Sequence, residues 1–305
     1  MFSKSEQEIM KNWNGNTNKP VVSVCCITYN HEMYINEAVN SFLMQETNFP
    51  FEIVIGEDCS TDGTRKIIDK YIEKYPNIVK LITSENNVGA INNLIRNFGA
   101  CKGKYLAFCE GDDYWIDSKK LQMQKDLIES GSYSLIFHNS YLNKDNIILS
   151  KPFCNLKSKT LFTINDVISE PWFIPSASMF FKSEYVKELP EFYKKVYNGD
   201  WALQLIFSDK EPIYFINKIM SVYRIHSTSS THTNKQSFVY SKMGELLNDF
   251  NIYSKKKYEK EINTRIKKLN KLKQKYTLLD NRDPIVYIKF PRELVKLILK
   301  KLGLR

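Results

Sequence analysis

VVSVCCITYN (residues 21–30) is the segment from which the fold can be read. From Val21 to Ile27 it is β-branched or apolar almost without interruption, as a strand covered on both faces must be. A helical pattern follows, with Tyr34, Ile35, Ala38, Phe42 and Leu43 recurring at three- and four-residue spacing. The same order repeats downstream: strand 51–57, helix 64–75, strand 78–83, helix 90–101, strand 105–109. This β-α-β-α-β-α-β order predicts a parallel sheet with right-handed crossovers, flanked by helices. Past Cys109 the alternation breaks into a helix near 118–129, a strand near 134–138, a hairpin-like stretch to Ser150, an aromatic run 172–181, a helix 200–208 and short strands 213–216 and 220–225. These elements are expected to extend the first sheet.

Composition narrows the class. At 305 residues, 43% hydrophobic and 26% charged, the chain is an ordinary globular one, which excludes wholesale disorder and small disulfide-stapled scaffolds. The longest uncharged apolar runs, 20–30 and 171–181, are far short of the roughly 20 residues that a bilayer requires. The polar start MFSKSEQEIMKNW has no signal-peptide core, so a cytoplasmic protein is expected. None of the six cysteines forms a CxxC pair, and most lie in apolar runs, where cysteine acts as a small buried hydrophobe. The formal charge of +10 resides at one end: residues 251–305 carry 17 Lys and Arg against five Asp and Glu. Three segments are expected: a lead-in (1–19), an α/β domain (20–236, divided near residue 115) and a basic helical extension (237–305). In 291–304, Leu294, Val295, Leu297, Ile298 and Leu302 form an apolar face opposite Arg292, Lys296, Lys300 and Lys301. Peripheral contact of 291–305 with the inner face of a cell membrane and packing on protein, including dimerisation, both remain open.

Ligands of an open parallel sheet bind beyond the carboxyl ends of its strands. Those ends here are Thr28-Tyr29-Asn30, Glu57-Asp58, Asn86-Asn87-Val88-Gly89 and Glu110-Gly111-Asp112-Asp113. A carboxylate accepts from a base or ribose, an aromatic ring stacks on the base, and clustered acids hold a cation against a diphosphate. GxGxxG, GxxxxGK[ST] and HExxH are all absent, which argues against dinucleotide folds, P-loop NTPases and zincins.

The segments VSVCCITYN (22–30), GEDCSTDGT (56–64), ENNVG (85–89), KGKYLAFCEGDDYW (102–115), NGDWAL (198–203) and VYRIHSTSS (222–230) occur in the order, and at spacings, resembling the family 2 glycosyltransferases of the GT-A (Rossmann-like) fold. The resemblance implies a metal-dependent, inverting transfer of a sugar from a nucleoside diphosphate, UDP first among the candidates, to a glycan or lipid-linked acceptor, as in bacterial surface polysaccharide synthesis. It places Thr28, Tyr29, Asn30 and Asp58 at the nucleoside, with Tyr29 against the base. Asn87 and Gly89 are either nucleotide contacts or turn formers. Glu110-Gly111-Asp112 stands where the family has DxD. Glu110 and Asp113 are thereby assigned to the donor, Asp112 to a Mn2+ or Mg2+ ion with His226 as the candidate imidazole, and Arg224 to phosphate oxygens. Asp200 takes the position of the general base, or caps the helix that follows, and Gly199 stands where the family has an acid. Ser60, Thr61 and Asp62 are expected to cap the helix after them, and His31, His138 and His232 to be structural or solvent-exposed. Trp115, Trp172 and Trp201 are open between stacking on a sugar and core packing. Asn93-Leu94-Ile95 departs from the family's Ala-Arg-Asn run, so donor contacts from that helix do not transfer. Two competing readings are a nucleotidyltransferase, disfavoured because the first loop is not Gly-rich, and a nucleic-acid or membrane-surface binder acting through the basic tail. The tail has few aromatics to stack bases, so no specific nucleic acid is expected.

Overall fold

The computed structural model describes residues 4–156, 158–226 and 234–280. It divides into two compact units, Met1–Lys195 with Gly199–Ile225, and Val196–Asn198 with His226–Arg305. The expected amphipathic helix 291–304, with both its membrane-contact and protein-packing readings, and His232 lie outside the described residues.

In the first unit, a short helix α1 (Glu6–Met10) leads into the alternation read from the sequence. That alternation consists of β1 (Val22–Thr28), α2 (Ile35–Leu43), β2 (Phe51–Glu57), α3 (Thr64–Lys74), β3 (Val79–Ile82), α4 (Ala90–Ala100) and β4 (Tyr105–Phe108). Strands β3, β2, β1 and β4 lie side by side in that order, all parallel. Both faces of β1 are covered, which explains its lack of apolar–polar alternation. On one face Val22, Val24 and Cys26 join a core with Ala38, Val39 and Phe42 of α2 and with Ile68 and Tyr71 of α3. On the other, α4 is tied down by amides: Asn97 Nδ2 donates to the carbonyls of Cys26 (2.8 Å) and Val54 (3.1 Å), and Asn93 Nδ2 donates to Gly56 O (2.7 Å). Residue 56 is glycine because a Cβ there would stand 2.7 Å from Asn93 Oδ1.

The second half of this unit is mixed in direction. It contains β5 (Tyr114–Trp115), α5 (Lys120–Ser130), β6 (Leu135–Lys144), β7 (Ile147–Pro152), β8 (Leu161–Phe162), α6 (Ile164–Ser169), β9 (Phe180–Lys182), α7 (Gly199–Ser208) and β10 (Ile213–Ile225). Strand β9 runs antiparallel between β4 and β6, and the parallel pair β6–β10 completes the expected extension of the sheet. The two short strands expected over 213–225 are one strand, irregular between Ile216 and Ser221, where exposed Asn217 and Lys218 break the pairing. The elements β5, β8 and α6 have two to six residues each, too short for a periodic signal.

The basic stretch of the second unit forms two helices, α8 (Gln236–Tyr253) and α9 (Glu259–Asp280). No helix among the described residues is long and apolar enough to cross a membrane. All six cysteines are free, and burial pushes the Cys25, Cys26 and Cys109 thiols well up, as befits small core hydrophobes.

A lysine lies within the core. Lys120 is fully buried, with its Nζ 3.9 Å from the centroid of the Trp115 ring and donating to Gln124 Oε1 at 2.7 Å. Gln124 passes the connection on to the carbonyls of Ile136 and Ser178. Burial lowers the Lys120 ammonium to about 7, and burial together with the Lys120 charge lowers buried His138. Since the unfolded chain holds the Lys120 proton up to about 10.5, it binds more protons than the native state across the window from about 7 to 10.5, and stability rises with pH there. Chemical denaturation of Lys120→Met between pH 6 and pH 10 is expected to show this rise removed, with the variant gaining most relative to wild type at the acid end.

Candidate functional site

The carboxyl ends of the paired strands β1, β2 and β4 lie side by side, and their loops are locked to each other by side chains. After β1, Asn30 turns the chain at φ 54°, and its Oδ1 accepts from Thr61 N at 2.8 Å while its own N–H donates to Ser60 Oγ at 3.0 Å. Thr64 Oγ1 accepts from His31 N (2.8 Å), Asp62 accepts from Glu32 N (3.1 Å), and the Glu32 carboxylate accepts from Gly63 N. Ser60 and Thr61 therefore tie to the β1 loop instead of capping α3. Asp62 alone serves the helix, accepting from Thr64 N at 2.9 Å. The Tyr29 ring is 41% exposed at the crevice, so it is not a core ring. Thr28 is buried, and its Oγ1 has no hydrogen-bond partner.

Asp58, at the end of β2, is buried and receives the amides of Val88 (2.8 Å) and Gly89 (3.0 Å), one on each carboxylate oxygen. It thus shapes the loop between β3 and α4. Asn87 Oδ1 accepts from Gly89 N at 3.0 Å, and Gly89 has φ 84° at the start of α4, so both residues are seen forming the turn.

The acidic turn after β4 is pressed against the end of β1. Gly111 N donates to Ile27 O at 2.9 Å, and a Cβ on Gly111 would stand 2.7 Å from Thr28 Oγ1, so no side chain fits between the two loops. The four residues of the turn face different ways. Glu110 accepts from Ser176 Oγ at 2.6 Å, and burial with the charges of Asp112 and Asp200 pushes its carboxyl up to about 8. Asp112 points at His31, with Nε2 to Oδ2 at 3.8 Å. Asp113 is 1% exposed; its Oδ1 accepts from Arg224 N at 2.8 Å, its Oδ2 has no partner, and burial and the neighbouring acids raise it well above the carboxylate range.

Arg224, near the end of β10, lies beneath this turn with 7% exposure. Its guanidinium donates to the Asp112 carbonyl and to the Glu37 carboxylate, and it stacks at 4.4 Å from the centroid of Tyr114 and 5.1 Å from that of Tyr34. The side chain expected at phosphate is thus engaged within the protein, supporting the turn from below. Asp200 sits in the first turn of α7, and burial raises its carboxyl above the ordinary value. His226 follows β10 directly and belongs to the second unit. Trp115 and Trp201 are core residues, their indole N–H groups donating to Ala177 O (2.9 Å) and Val167 O (3.0 Å), whereas Trp172 is partly exposed. His138 is buried, as expected of a structural histidine, while His31 stands beside Asp112 of the acidic turn. The signal for it was its position, one residue past Tyr29-Asn30 at a strand end.

A divalent metal suits this donor set. Oxygen from Asp112, nitrogen from His31 and the mutual repulsion of Glu110, Asp112, Asp113 and Asp200 describe a place where positive charge lowers the energy. Among the described residues no three such side chains form a ready-made metal cage, so other ligands would have to complete the shell.

A sheet parallel at one end and mixed beyond, with an acidic turn at its crevice, is the GT-A class of α/β fold. The glycosyl transferase family 2 model matches residues 23–188, and the chain belongs to that family. A Mycobacterium tuberculosis protein of uncharacterized function is 30% identical over 221 residues, 71% of this chain and 63% of that protein, so the chain spans less than two thirds of this relative. A Bacillus subtilis protein described as a teichuronic acid biosynthesis glycosyltransferase is 38% identical over 118 residues, covering 39% of this chain and 43% of its own. Among solved structures, Staphylococcus aureus TarS in complex with UDP-GlcNAc superposes with a TM-score of 0.59 at 20% identity, covering 74% of this chain and 65% of that one. A Pyrobaculum calidifontis mannosyltransferase in complex with GDP-Man and Mn2+ has a TM-score of 0.56 at 12% identity over 96% of this chain and 86% of that one. At these identities the two structures share the fold.

Removing the guanidinium by Arg224→Met leaves the Asp112 carbonyl and Glu37 without their charged donor. Unfolding free energy is expected to fall by about 2–3 kcal/mol, measured by urea denaturation at neutral pH.

Proposed function

We propose that the chain is a metal-dependent, inverting glycosyltransferase that moves a sugar from a nucleoside diphosphate to a hydroxyl of a glycan or lipid-linked acceptor in surface glycan synthesis. The observation that carries this reading is electrostatic. Glu110 of the turn after β4, held by Ser176 Oγ at 2.6 Å, lies near enough to Asp200 at the head of α7, 90 positions later, for the two charges to interact, and in this reading they are the donor-side and acceptor-side carboxylates.

In this reading Tyr29, exposed at the crevice, stacks on the base, and Thr28 Oγ1, buried and unpartnered, offers a hydrogen bond to the nucleoside. Asn30 and Asp58 hold the two loops that form the walls, and Asn87 and Gly89 complete the second of them. Asp112 would hold a Mn2+ or Mg2+ ion, which when bound supplies positive charge to the diphosphate as its bond to the sugar breaks. Glu110, fixed by Ser176, faces the sugar, and Asp113 with Arg224 keeps the turn in place. Asp200 takes the proton from the attacking hydroxyl. Burial raises its carboxyl toward neutrality, which makes its conjugate base stronger than that of a solvated aspartate. Attack opposite the leaving diphosphate inverts the anomeric centre. UDP is the first donor to test because the TarS structure holds UDP-GlcNAc, with GDP-mannose second because the mannosyltransferase structure holds GDP-Man.

The test is release of nucleoside diphosphate from UDP-GlcNAc and from GDP-mannose by the purified full chain with Mn2+. Asp200→Asn is expected to lower turnover about 100-fold or more, the usual worth of a general base. Asp112→Asn is expected to weaken the dependence on Mn2+. Turnover unchanged in both variants overturns the assignment.

A further inference from the structure

The sequence singles out His226 as the imidazole of the site, yet the histidine that faces Asp112 within the first unit is His31. Its backbone is locked: His31 N donates to Thr64 Oγ1 at 2.8 Å, and the next residue, Glu32, is held at both ends by Asp62 and Gly63. The ring stands edge-on to Tyr34, with centroids 6.4 Å apart. From this anchored position Nε2 lies 3.8 Å from Asp112 Oδ2. Asp112 is fixed from the opposite side, its carbonyl accepting from the Arg224 guanidinium. The two side chains are 18% and 20% exposed, open to the crevice and sheltered from bulk water.

A separation of 3.8 Å is too long for a hydrogen bond between the two atoms. It is close to the spacing of two ligands on one ion. Donor atoms about 2.1 Å from a common metal stand about 3.0–3.4 Å apart at octahedral or tetrahedral angles. A side-chain adjustment of well under about 1 Å brings the pair to that spacing, and the locked backbones on both sides keep such an adjustment local.

We propose that His31 is the nitrogen ligand which, together with Asp112, takes up a divalent cation, and that it gives the site a preference for Mn2+ over Mg2+. Imidazole accepts Mn2+ readily, whereas Mg2+ is served by oxygen and water, so one nitrogen in the shell separates the two ions. The proposal rests on the glycosyltransferase reading for the purpose of the cation, but the ligand assignment has a readout of its own.

The experiment titrates the full chain with Mn2+ alone, then with Mn2+ and UDP, following free Mn2+ by electron paramagnetic resonance. Protein labelled with 15N-histidine reports a bound imidazole through its nitrogen hyperfine coupling. His31→Gln is the main variant, since the bond to Thr64 comes from the backbone of residue 31 and glutamine keeps it; the melting temperature of the variant reports whether the fold is kept. The expected result is nitrogen coupling in wild type and in His226→Ala but not in His31→Gln. Mn2+ affinity should fall about 10-fold or more in His31→Gln, with Mg2+ affinity, read by competition, changing less than about 3-fold. Unchanged Mn2+ affinity in folded His31→Gln, coupling lost in His226→Ala, or no Mn2+ binding in either titration overturns the proposal. Histidine-coupled Mn2+ in a protein that releases no diphosphate from any sugar nucleotide would instead sink the transferase reading and leave this one standing.

Discussion

Three carboxylates in four residues crowd together at the end of a strand, two of them buried, and the Arg224 guanidinium brings positive charge against the turn that carries them. Desolvation, together with the charges of the neighbouring acids, drives Glu110 and Asp113 toward their neutral forms. Arg224 counters it in two ways: its backbone N–H fixes Asp113, and its side chain carries positive charge to the underside of the turn. The guanidinium is itself held between two tyrosine rings and by Glu37, so the turn, α2 and β10 are joined at one point. That junction adds to the bonds Gly111 N to Ile27 O and Ser176 Oγ to Glu110 in holding the close approach of Gly111 to Thr28 against the repulsion of the acids.

The same logic extends along the strand ends. The loop after β1 is fastened to the one after β2 through Asn30, Ser60 and Thr61, and the loop after β2 to the one before α4 through Asp58. Each polar side chain satisfies backbone amides that the sheet leaves open at its edge. Several residues that read as ligand contacts are therefore also the mortar of the pocket. Asp58 and Asn87 show this most clearly, since their oxygens accept from Val88 and Gly89.

How far the sequence could be read depended on the kind of signal. The seven elements from β1 to β4 were legible because β1 and its neighbours are covered on both faces and their helices on one, which leaves unbroken apolar runs and clean helical spacing, whereas the short α1 was read only as part of a lead-in. Past Cys109 the signal weakened. The bend between Ile216 and Ser221 split one strand into two apparent ones, and β5, β8 and α6 are too short to show a period. At the site, Tyr29, Asp112 and Asp200 could be named from place and order along the chain, and the roles given to them belong to the proposal. The approach of His31 to Asp112 was not legible because a lone histidine has no periodicity, and the internal partners of Arg224 were not legible because a sequence does not reveal which side of a turn a guanidinium approaches.

The linear order of residues thus determined the alternation of strands and helices, the four polar strand ends and the acidic identity of 110–113, because each depends on residue type and spacing along a short stretch of chain. Only the tertiary structure decided that Arg224, 111 residues from Asp113, supports the turn from below, that Glu110 shares a field with Asp200, and that His31 looks across at Asp112. Those relations arise where separate loops converge on one crevice, and electrostatic energy depends on distance through space, to which separation along the chain is no guide.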